Sequence, residues 1–233
     1  MDSLSTGRVA DVLQRLFKEG AQADKGLMDQ FGELSQQGEQ ILADNVADLA
    51  AAERRDLRGV YRDFATNFLN VTPEYGRFLY QCARARKATR IVEFGTSMGV
   101  STIHLAAALR DTGGGQLIGT ELEPEKAARA RANLEAAGLA DLVDIRVGDA
   151  RETLAEVGSG IDFVLLDGAF TLYLPVLKLL EPHLQSATPI LAENAWDHGN
   201  EYLDYVRNPA NGYVSQSLPI NHGRGNEFTV VSR

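Results

Sequence analysis

The sequence has few of the residues that several protein classes require. Its 233 residues include one cysteine, Cys82, which excludes an internal disulfide framework and any multi-cysteine metal site. No apolar run approaches the roughly 18 residues of a membrane-spanning helix, and the N-terminal segment is polar and acidic where a signal peptide needs an apolar block. We therefore predict a soluble, cytoplasmic protein that has no membrane partner.

Positive charge is also scarce. Lys and Arg total 23 against 32 for Asp and Glu, so the formal net charge is −9, and there is no dense basic run. Nucleic-acid binding draws much of its affinity from basic side chains on phosphates, so we predict no nucleic-acid partner. The remaining composition, 44% hydrophobic and 24% charged, is that of a globular domain, with or without a small appendage.

The first 80 residues have the apolar spacing of helices. One apolar stripe comprises Val9, Val12, Leu13, Leu16 and Phe17, and a later one comprises Leu57, Val60, Tyr61, Phe64 and Phe68. Such stripes must be covered by the main domain or by a partner subunit, or must themselves cover a site as a lid. We predict an N-terminal helical extension over residues 1–80, acting as a lid or in dimerisation, before a main domain over residues 81–233.

After residue 88, short strands alternate with helices. The predicted strands cover residues 90–94, 116–122, 143–147, 161–166 and 190–192, and the predicted helices cover residues 100–110, 124–137, 152–157 and 172–184. Strands that are apolar on both faces are typical of a parallel sheet between two helix layers. The predicted fold class is therefore α/β, with a doubly wound, mostly parallel sheet. Alternating runs at 213–220 and 227–232, separated by turn residues, predict an antiparallel C-terminal hairpin.

A glycine-containing loop follows the first predicted strand, at the sheet edge where open parallel sheets bind ligands. It reads Glu93-Phe94-Gly95-Thr96-Ser97-Met98-Gly99-Val100-Ser101-Thr102. Gly95 and Gly99 let the backbone approach a ligand closely, and Ser101 with the amides of the next helix can hold an anionic group. The spacing is not the G-x-G-x-x-G of nicotinamide dehydrogenases. A tight strand-to-helix turn is the simpler alternative for this loop taken alone.

Polar residues end the later strands as well. Glu121 ends the second strand, where a carboxylate can accept hydrogen bonds from a ribose diol. Asp149 ends the third strand and can accept from an adenine amino group. Asp167 ends the fourth strand, and Glu193 with Asn194 ends the fifth. Each residue alone has a structural explanation as a helix cap or a partner of a helix dipole. One nucleoside site explains all of them together.

These motifs resemble those of the class I S-adenosylmethionine-dependent methyltransferases. Within that class, the chain is similar to the O-methyltransferase family that includes the catechol and caffeoyl-coenzyme A O-methyltransferases. The resemblance covers residues 70–233 and rests on Asn70-Val71-Thr72-Pro73-Glu74-Tyr75-Gly76, Val92-Glu93-Phe94-Gly95-Thr96 and Ile118-Gly119-Thr120-Glu121-Leu122-Glu123-Pro124. It implies a Rossmann-like sheet of seven strands with an antiparallel last strand. It also implies methyl transfer to a small phenolic or catechol-like acceptor.

The resemblance implies roles for individual residues. The implied S-adenosylmethionine site comprises Thr72, Glu93, Gly95, Ser101, Glu121, Asp149, Ala150 and Asp167. In it Glu121 holds the ribose, and Asp149 and Ala150 border the adenine. The implied site for a divalent cation such as Mg²⁺ comprises Asp167, Glu193 and Asn194, and hard oxygen ligands suit that ion. The cation favours phenolate over phenol and so creates a nucleophile near neutral pH. Helical N-termini in this family often build dimers, so we expect a homodimer.

The sequence departs from the family pattern at two positions. The second metal-site acid is Glu193, where the family has Asp. The family's Lys, three residues after the first metal-site acid, is Phe170 here, so the expected general base is missing. Tyr173 matches the family's tyrosine, and His198 can replace the base because imidazole titrates near neutral pH. The predicted catalytic residues are therefore Asp167, Tyr173 and His198.

The departures leave other functions open. Phe170 and Trp196 can form an apolar wall for an aromatic acceptor, but ordinary packing also explains them. One alternative function is metal-independent methylation of an amine or a carboxylate. Another, of a different class, is an S-adenosylmethionine-binding protein that transfers no methyl group.

Overall fold

Seven β-strands form one sheet in the computed structural model, which describes residues 2–196, 200–220 and 225–233. They are β1 (Arg90–Phe94), β2 (Gln116–Glu121), β3 (Val143–Val147), β4 (Phe163–Leu166), β5 (Pro189–Ala192), β6 (Tyr213–Leu218) and β7 (Asn226–Val231). Their order across the sheet is β3-β2-β1-β4-β5-β7-β6. Strands β1 to β5 are parallel, and β7 is antiparallel to both β5 and β6. The predicted fold class is confirmed.

Nine α-helices lie within the described residues. They are α1 (Arg8–Ala23), α2 (Lys25–Gln37), α3 (Glu39–Asp63), α4 (Pro73–Arg86), α5 (Val100–Thr112), α6 (Pro124–Ala137), α7 (Ala150–Thr153), α8 (Tyr173–Leu180) and α9 (Glu201–Val206). A short 3-10 helix, Phe170–Leu172, leads into α8. None of the described helices is both long and apolar enough to cross a membrane.

The two faces of the sheet bury separate cores because neighbouring residues of a strand point to opposite faces. Ile91 and Leu117 belong to the core that the sheet forms with α1, α4, α5 and α6. Val92 and Ile118, the next residues of the same strands, belong to the core formed with α7, α8 and α9. Helices therefore cover both faces and leave the ends of the strands as the place where a ligand can bind.

Local sequence explains where several helices begin and end. The Thr72 hydroxyl accepts a hydrogen bond from the Tyr75 amide at 3.3 Å, and Pro73 occupies the first turn of α4. Helix α6 likewise starts at Pro124 and stops at Gly138, whose φ of 73° is left-handed. These caps fix the segments on either side of the glycine loop.

Three helix predictions need correction. The helix predicted over 152–157 is instead α7, which starts earlier because Asp149 caps it. The helix predicted over 172–184 ends as α-helix at Leu180, and Pro182 then lies in a short 3-10 helix. The second apolar stripe is not one helix, because α3 ends at Asp63 and Phe68 lies buried beyond it.

The N-terminal helices use their apolar stripes differently. Val12 and Leu16 of α1 are buried in the core with α5 and α6, so α1 packs on the main sheet. Helix α3 contacts the 3-10 helix that follows β4, and its Leu57 and Tyr61 pack against the other core. Helix α3 therefore lies over the end of β4.

Candidate active site

The loop after β1 meets the end of β4 at Gly95. Its φ is 96°, and a Cβ atom at this position would overlap the carbonyl group of Asp167. Only glycine allows both the left-handed backbone and this close approach. Gly95 therefore brings the glycine loop and the strand end that carries Asp167 together.

Glu93 is fully buried directly before that loop. It accepts hydrogen bonds from Ser101 at 2.7 Å, Thr102 at 2.6 Å and Thr96 at 3.0 Å. Burial raises the pKa of its carboxyl to about 7, although the three donors favour the charged form. Ser101, predicted to line the cofactor site with Glu93, thus turns its hydroxyl to that carboxylate.

Glu121 lies across the loop at the end of β2. Its carboxylate accepts from the backbone amides of Ser97 at 2.7 Å and Glu123 at 2.9 Å, so it is held at the cavity wall. Burial raises its pKa, and burial lowers the pKa of the neighbouring Lys126. A buried acid fixed by two amides is suited to accept hydrogen bonds from a diol.

Asp149 at the end of β3 combines a structural role with a place on the cavity wall. Its carboxylate accepts from the Arg151 amide at 2.9 Å and pairs with the Arg151 guanidinium. These hydrogen bonds lower its pKa. Asp149 therefore caps α7, which confirms the structural explanation of this residue. Asp149 and Ala150 also line a cavity at the ends of the strands.

A cavity runs along the ends of β1 to β4, between the glycine loop and helix α3. Its lining includes Gly95, Ser97, Glu121, Asp149, Ala150 and Asp167 of the predicted motifs, together with Leu57, Tyr61, Leu69, Lys126 and Leu172. The second group was not predicted. Leu57 and Tyr61 stood out in the sequence only as part of an apolar stripe, whereas nothing in the spacing of Leu69 or Lys126 indicated a site.

The strands β4 and β5 bring the predicted cation ligands together. The two strands pair with Leu166 opposite Ala192, so Asp167 and Glu193 are the next residues of each strand. The Glu193 amide donates a hydrogen bond to the Leu166 carbonyl at 2.9 Å. The Asn194 amide donates to the Glu193 carboxylate. Neither Asp167 nor Asn194 caps a described helix, so the structural alternative for these two residues is wrong.

Two buried tyrosines surround this cluster. The Tyr173 hydroxyl donates to the Glu193 carbonyl at 2.5 Å, which makes Tyr173 a support for the Glu193 backbone. The Tyr75 hydroxyl is buried and has no hydrogen-bond partner among the described residues. Burial, and then the charges of Glu193 and Asp167, hold the pKa of Tyr75 well above its usual value. His198, the third predicted catalytic residue, lies outside the described residues.

Helix α3 is fastened over the cavity by a buried acid. Glu53 is 3% exposed and accepts hydrogen bonds from the Tyr61 hydroxyl at 2.8 Å and from the Thr171 hydroxyl at 2.6 Å. Burial raises its pKa. At Asp56 the backbone leaves helical geometry, with φ −152° and ψ 79°. The part of α3 that carries Leu57 and Tyr61 is thus a separate helical segment. Glu53 of the preceding segment connects it, through the Tyr61 hydroxyl, to Thr171 in the turn after Asp167.

A second cavity of about 180 Å³ lies on the other side of that turn. Its lining includes Ala50 and Arg54 of α3, together with Phe170, Thr171, Leu174 and Trp196. Phe170 and Trp196, predicted as an apolar wall, are therefore brought to the same cavity. The turn 167–172 separates this cavity from the first one.

Comparison with known proteins finds similarity to methyltransferases. A sequence profile described as a methyltransferase domain matches residues 92–195. The chain is 35% identical over 150 residues to the catechol O-methyltransferase of Niastella koreensis, a match covering 61% of this chain and 65% of that protein. It is 41% identical over 98 residues to the catechol O-methyltransferase of Mycobacterium tuberculosis, covering 42% of this chain and 44% of that protein. The chain thus spans less than two thirds of these relatives.

Solved structures give the same fold. The O-methyltransferase TomG of Streptomyces achromogenes, in complex with S-adenosylmethionine, superposes with a TM-score of 0.65 at 23% identity, covering 81% of this chain and 89% of that chain. The O-methyltransferase of Bacillus cereus, in complex with S-adenosylhomocysteine, gives 0.63 at 22% identity, covering 81% and 90%. The chain therefore shares the fold of these two solved structures, and its residues 92–195 match a methyltransferase domain.

Proposed function

We propose that this protein transfers the methyl group of S-adenosylmethionine to a hydroxyl of a small phenolic or catechol-like molecule. The observation that carries the proposal is that Asp167 and Glu193 directly follow the paired ends of β4 and β5, with Asn194 hydrogen-bonded to Glu193 and Asp167 on the wall of the first cavity. An acceptor bound between this cluster and the cofactor is aligned for in-line displacement at the sulfonium methyl.

In this proposal the cofactor lies along the first cavity. Glu121 accepts hydrogen bonds from the ribose, and Asp149 with Ala150 borders the adenine. Gly95 borders the methionine end beside Asp167. Three further residues support that end of the site. Ser101 donates a hydrogen bond to Glu93, and Thr72 caps the start of α4.

The strand-end cluster fits a divalent cation such as Mg²⁺. Two carboxylates and an amide are the hard oxygen donors that this ion prefers, and the buried Tyr75 hydroxyl beside them needs a partner. Asp167, Glu193 and Asn194 would hold the ion, which when bound lowers the pKa of an acceptor hydroxyl. Tyr173 keeps the Glu193 backbone in place rather than moving a proton, and His198 stays the predicted base.

The test is methyl transfer itself. Purified protein is incubated with S-adenosylmethionine and a panel of catechols and phenols, with Mg²⁺ or with a chelator, and the methyl ether is quantified by mass spectrometry. We expect one methyl ether per S-adenosylhomocysteine formed, and chelation to abolish it. Asp167→Asn should lower the rate by about a hundredfold or more. The control Asp144→Asn, at an exposed acid of β3, should leave it unchanged.

Each outcome bears on a different part of the proposal. Transfer that survives chelation contradicts the metal and leaves O-methylation standing. Transfer to amines or carboxylates alone, or tight cofactor binding without any transfer, contradicts O-methylation.

The same proposal includes a cytoplasmic homodimer. The N-terminal helices carry the exposed apolar side chains Phe31 and Ile41, against which a second copy can pack. A monomeric mass in light scattering would contradict the dimer.

A further inference from the structure

The second cavity has the size and the position of a pocket for one aromatic ring. Its volume of about 180 Å³ exceeds the roughly 150 Å³ that accommodates benzene in a protein interior. It shares the turn 167–172 with the cofactor cavity, which Ala169 and Leu172 line from the opposite side. A ring in this cavity therefore contacts the turn that follows Asp167, at Phe170 and Thr171.

The walls of this cavity are mostly apolar. Ala50, Leu174, Phe170 and Trp196 offer aliphatic and aromatic surface to a ring. Ring stacking and apolar burial would hold the body of an acceptor there without selecting its substituents.

The charge of the cavity is uneven. Arg54 is the one cation among the described lining residues, and its charge acts on the carboxylate of the adjacent Glu53. Glu201 also lines the cavity, but it lies in the first turn of α9, where the helix dipole stabilises a carboxylate. Arg54 lies in the last turn before the break of α3 at Asp56, so its charge is also placed favourably for the dipole of that helical segment.

We propose that this cavity selects an aromatic acceptor carrying a carboxylate or another anionic substituent, and that Arg54 is the residue that recognises it. The inference rests on the proposed function and names its substrate class. A guanidinium binds a carboxylate through two parallel hydrogen bonds and is weakly hydrated, which suits a partly apolar wall. The aromatic ring then lies against Phe170 and Trp196, beside the turn that follows Asp167.

The experiment compares three catechols whose side chains match in length and end in a carboxylate, a methyl group or an ammonium. Their dissociation constants are measured by calorimetry on protein saturated with S-adenosylhomocysteine. We expect the carboxylate to bind about tenfold more tightly than the methyl compound, and the ammonium compound to bind most weakly. Arg54→Gln should abolish the carboxylate preference, and Arg54→Lys should keep part of it.

Two controls keep the test specific. Arg55→Gln changes the adjacent exposed arginine, which does not line the cavity, and should preserve the preference. Glu201→Gln should strengthen carboxylate binding by removing a like charge. Equal binding of the three catechols, a preference for ammonium, or a preference that survives Arg54→Gln overturns the inference.

Methyl transfer is measured on the same compounds. If the carboxylate binds as expected and is not methylated, the ligand class stands and the proposed function fails. If all three catechols bind and react equally, the function stands and the inference about Arg54 fails.

Discussion

The two halves of the site are built in different ways. At the ends of β1 and β3, the acids are held by groups close in sequence: Glu93 by hydroxyls up to nine residues away, and Asp149 by an amide two residues away. At the end of β2, Glu121 is held by amides two and 24 residues away. At the ends of β4 and β5, the decisive contact joins Glu53 to Thr171, which are 118 residues apart. The cofactor half is thus preorganised by local sequence, and the acceptor half depends on how α3 docks.

This difference has a consequence for ligand entry. The cofactor cavity measures about 70 Å³, less than the roughly 150 Å³ that accommodates one benzene ring. A nucleoside therefore needs one wall to move. The glycine loop is fixed by its own hydrogen bonds, whereas α3 is held by a few contacts around Glu53, so α3 is the wall we expect to move.

The largest expected effect comes from breaking the junction between the two halves. Gly95→Ala places a methyl group against the Asp167 carbonyl on a left-handed backbone. We expect a loss of about 3 kcal/mol in the free energy of unfolding and cofactor binding too weak to detect by calorimetry. Urea denaturation and titration with S-adenosylhomocysteine measure the two effects.

Gly115→Ala is the matched control for this prediction. Gly115 also has a positive φ and would also overlap backbone, at Thr89, but it lies before β2 at the opposite end of the strand. It should destabilise the fold to a similar extent and leave the cofactor dissociation constant of the folded protein unchanged. Equal loss of cofactor binding in both variants would contradict a specific role for Gly95.

The sequence predicted the bounds of the elements around the first cavity well because their determinants are short-range. The strand at 90–94 and the helix at 124–137 have the predicted bounds, and Gly138 ends that helix as expected. The acceptor half was predicted only as far as its strand-end residues. Glu53 resembles any acid of a polar helix, and its burial follows from docking against a turn more than a hundred residues away.

Tyr173 shows the same limit. The family pattern identifies it, but its position in that pattern does not reveal that its hydroxyl is occupied by the Glu193 carbonyl. A motif gives the place of a residue, whereas its hydrogen-bond partner depends on the tertiary contacts of two strands and a helix.

The dependence of the free energy of unfolding on pH tests the protonation of Glu93 beside the first cavity. Burial raises the pKa of Glu93 to about 7 from a reference of 4.5, so the folded state holds a proton that the unfolded state releases. This group therefore stabilises the fold fully below pH 4.5, and its contribution is lost as pH rises to about 7. The loss is at most about 3 kcal/mol.

Glu93→Gln tests this assignment. The variant has no proton to release, so its free energy of unfolding should not show the decrease expected between pH 4.5 and 7. Over this range the free energy of unfolding of the wild type should therefore decrease relative to that of the variant. Ser101→Ala removes a donor that favours the carboxylate and should extend the fall to higher pH. Parallel pH profiles for wild type and Glu93→Gln in denaturant titrations would show that Glu93 does not titrate in this range.

The smallest expected effect comes from loosening the docking of α3, which lines both cavities. Glu53→Gln keeps the size of the side chain but loses an acceptor oxygen, so α3 should open more often and bound S-adenosylhomocysteine should dissociate about tenfold faster. Displacement by excess S-adenosylmethionine in a stopped-flow experiment measures this rate. Thr171→Val should reproduce the effect, and Thr171→Ser, which keeps the hydroxyl, should not. If the dissociation rate is unchanged in both Glu53→Gln and Thr171→Val, α3 is not the wall that moves. The docking of α3 then does not control how fast the cofactor leaves.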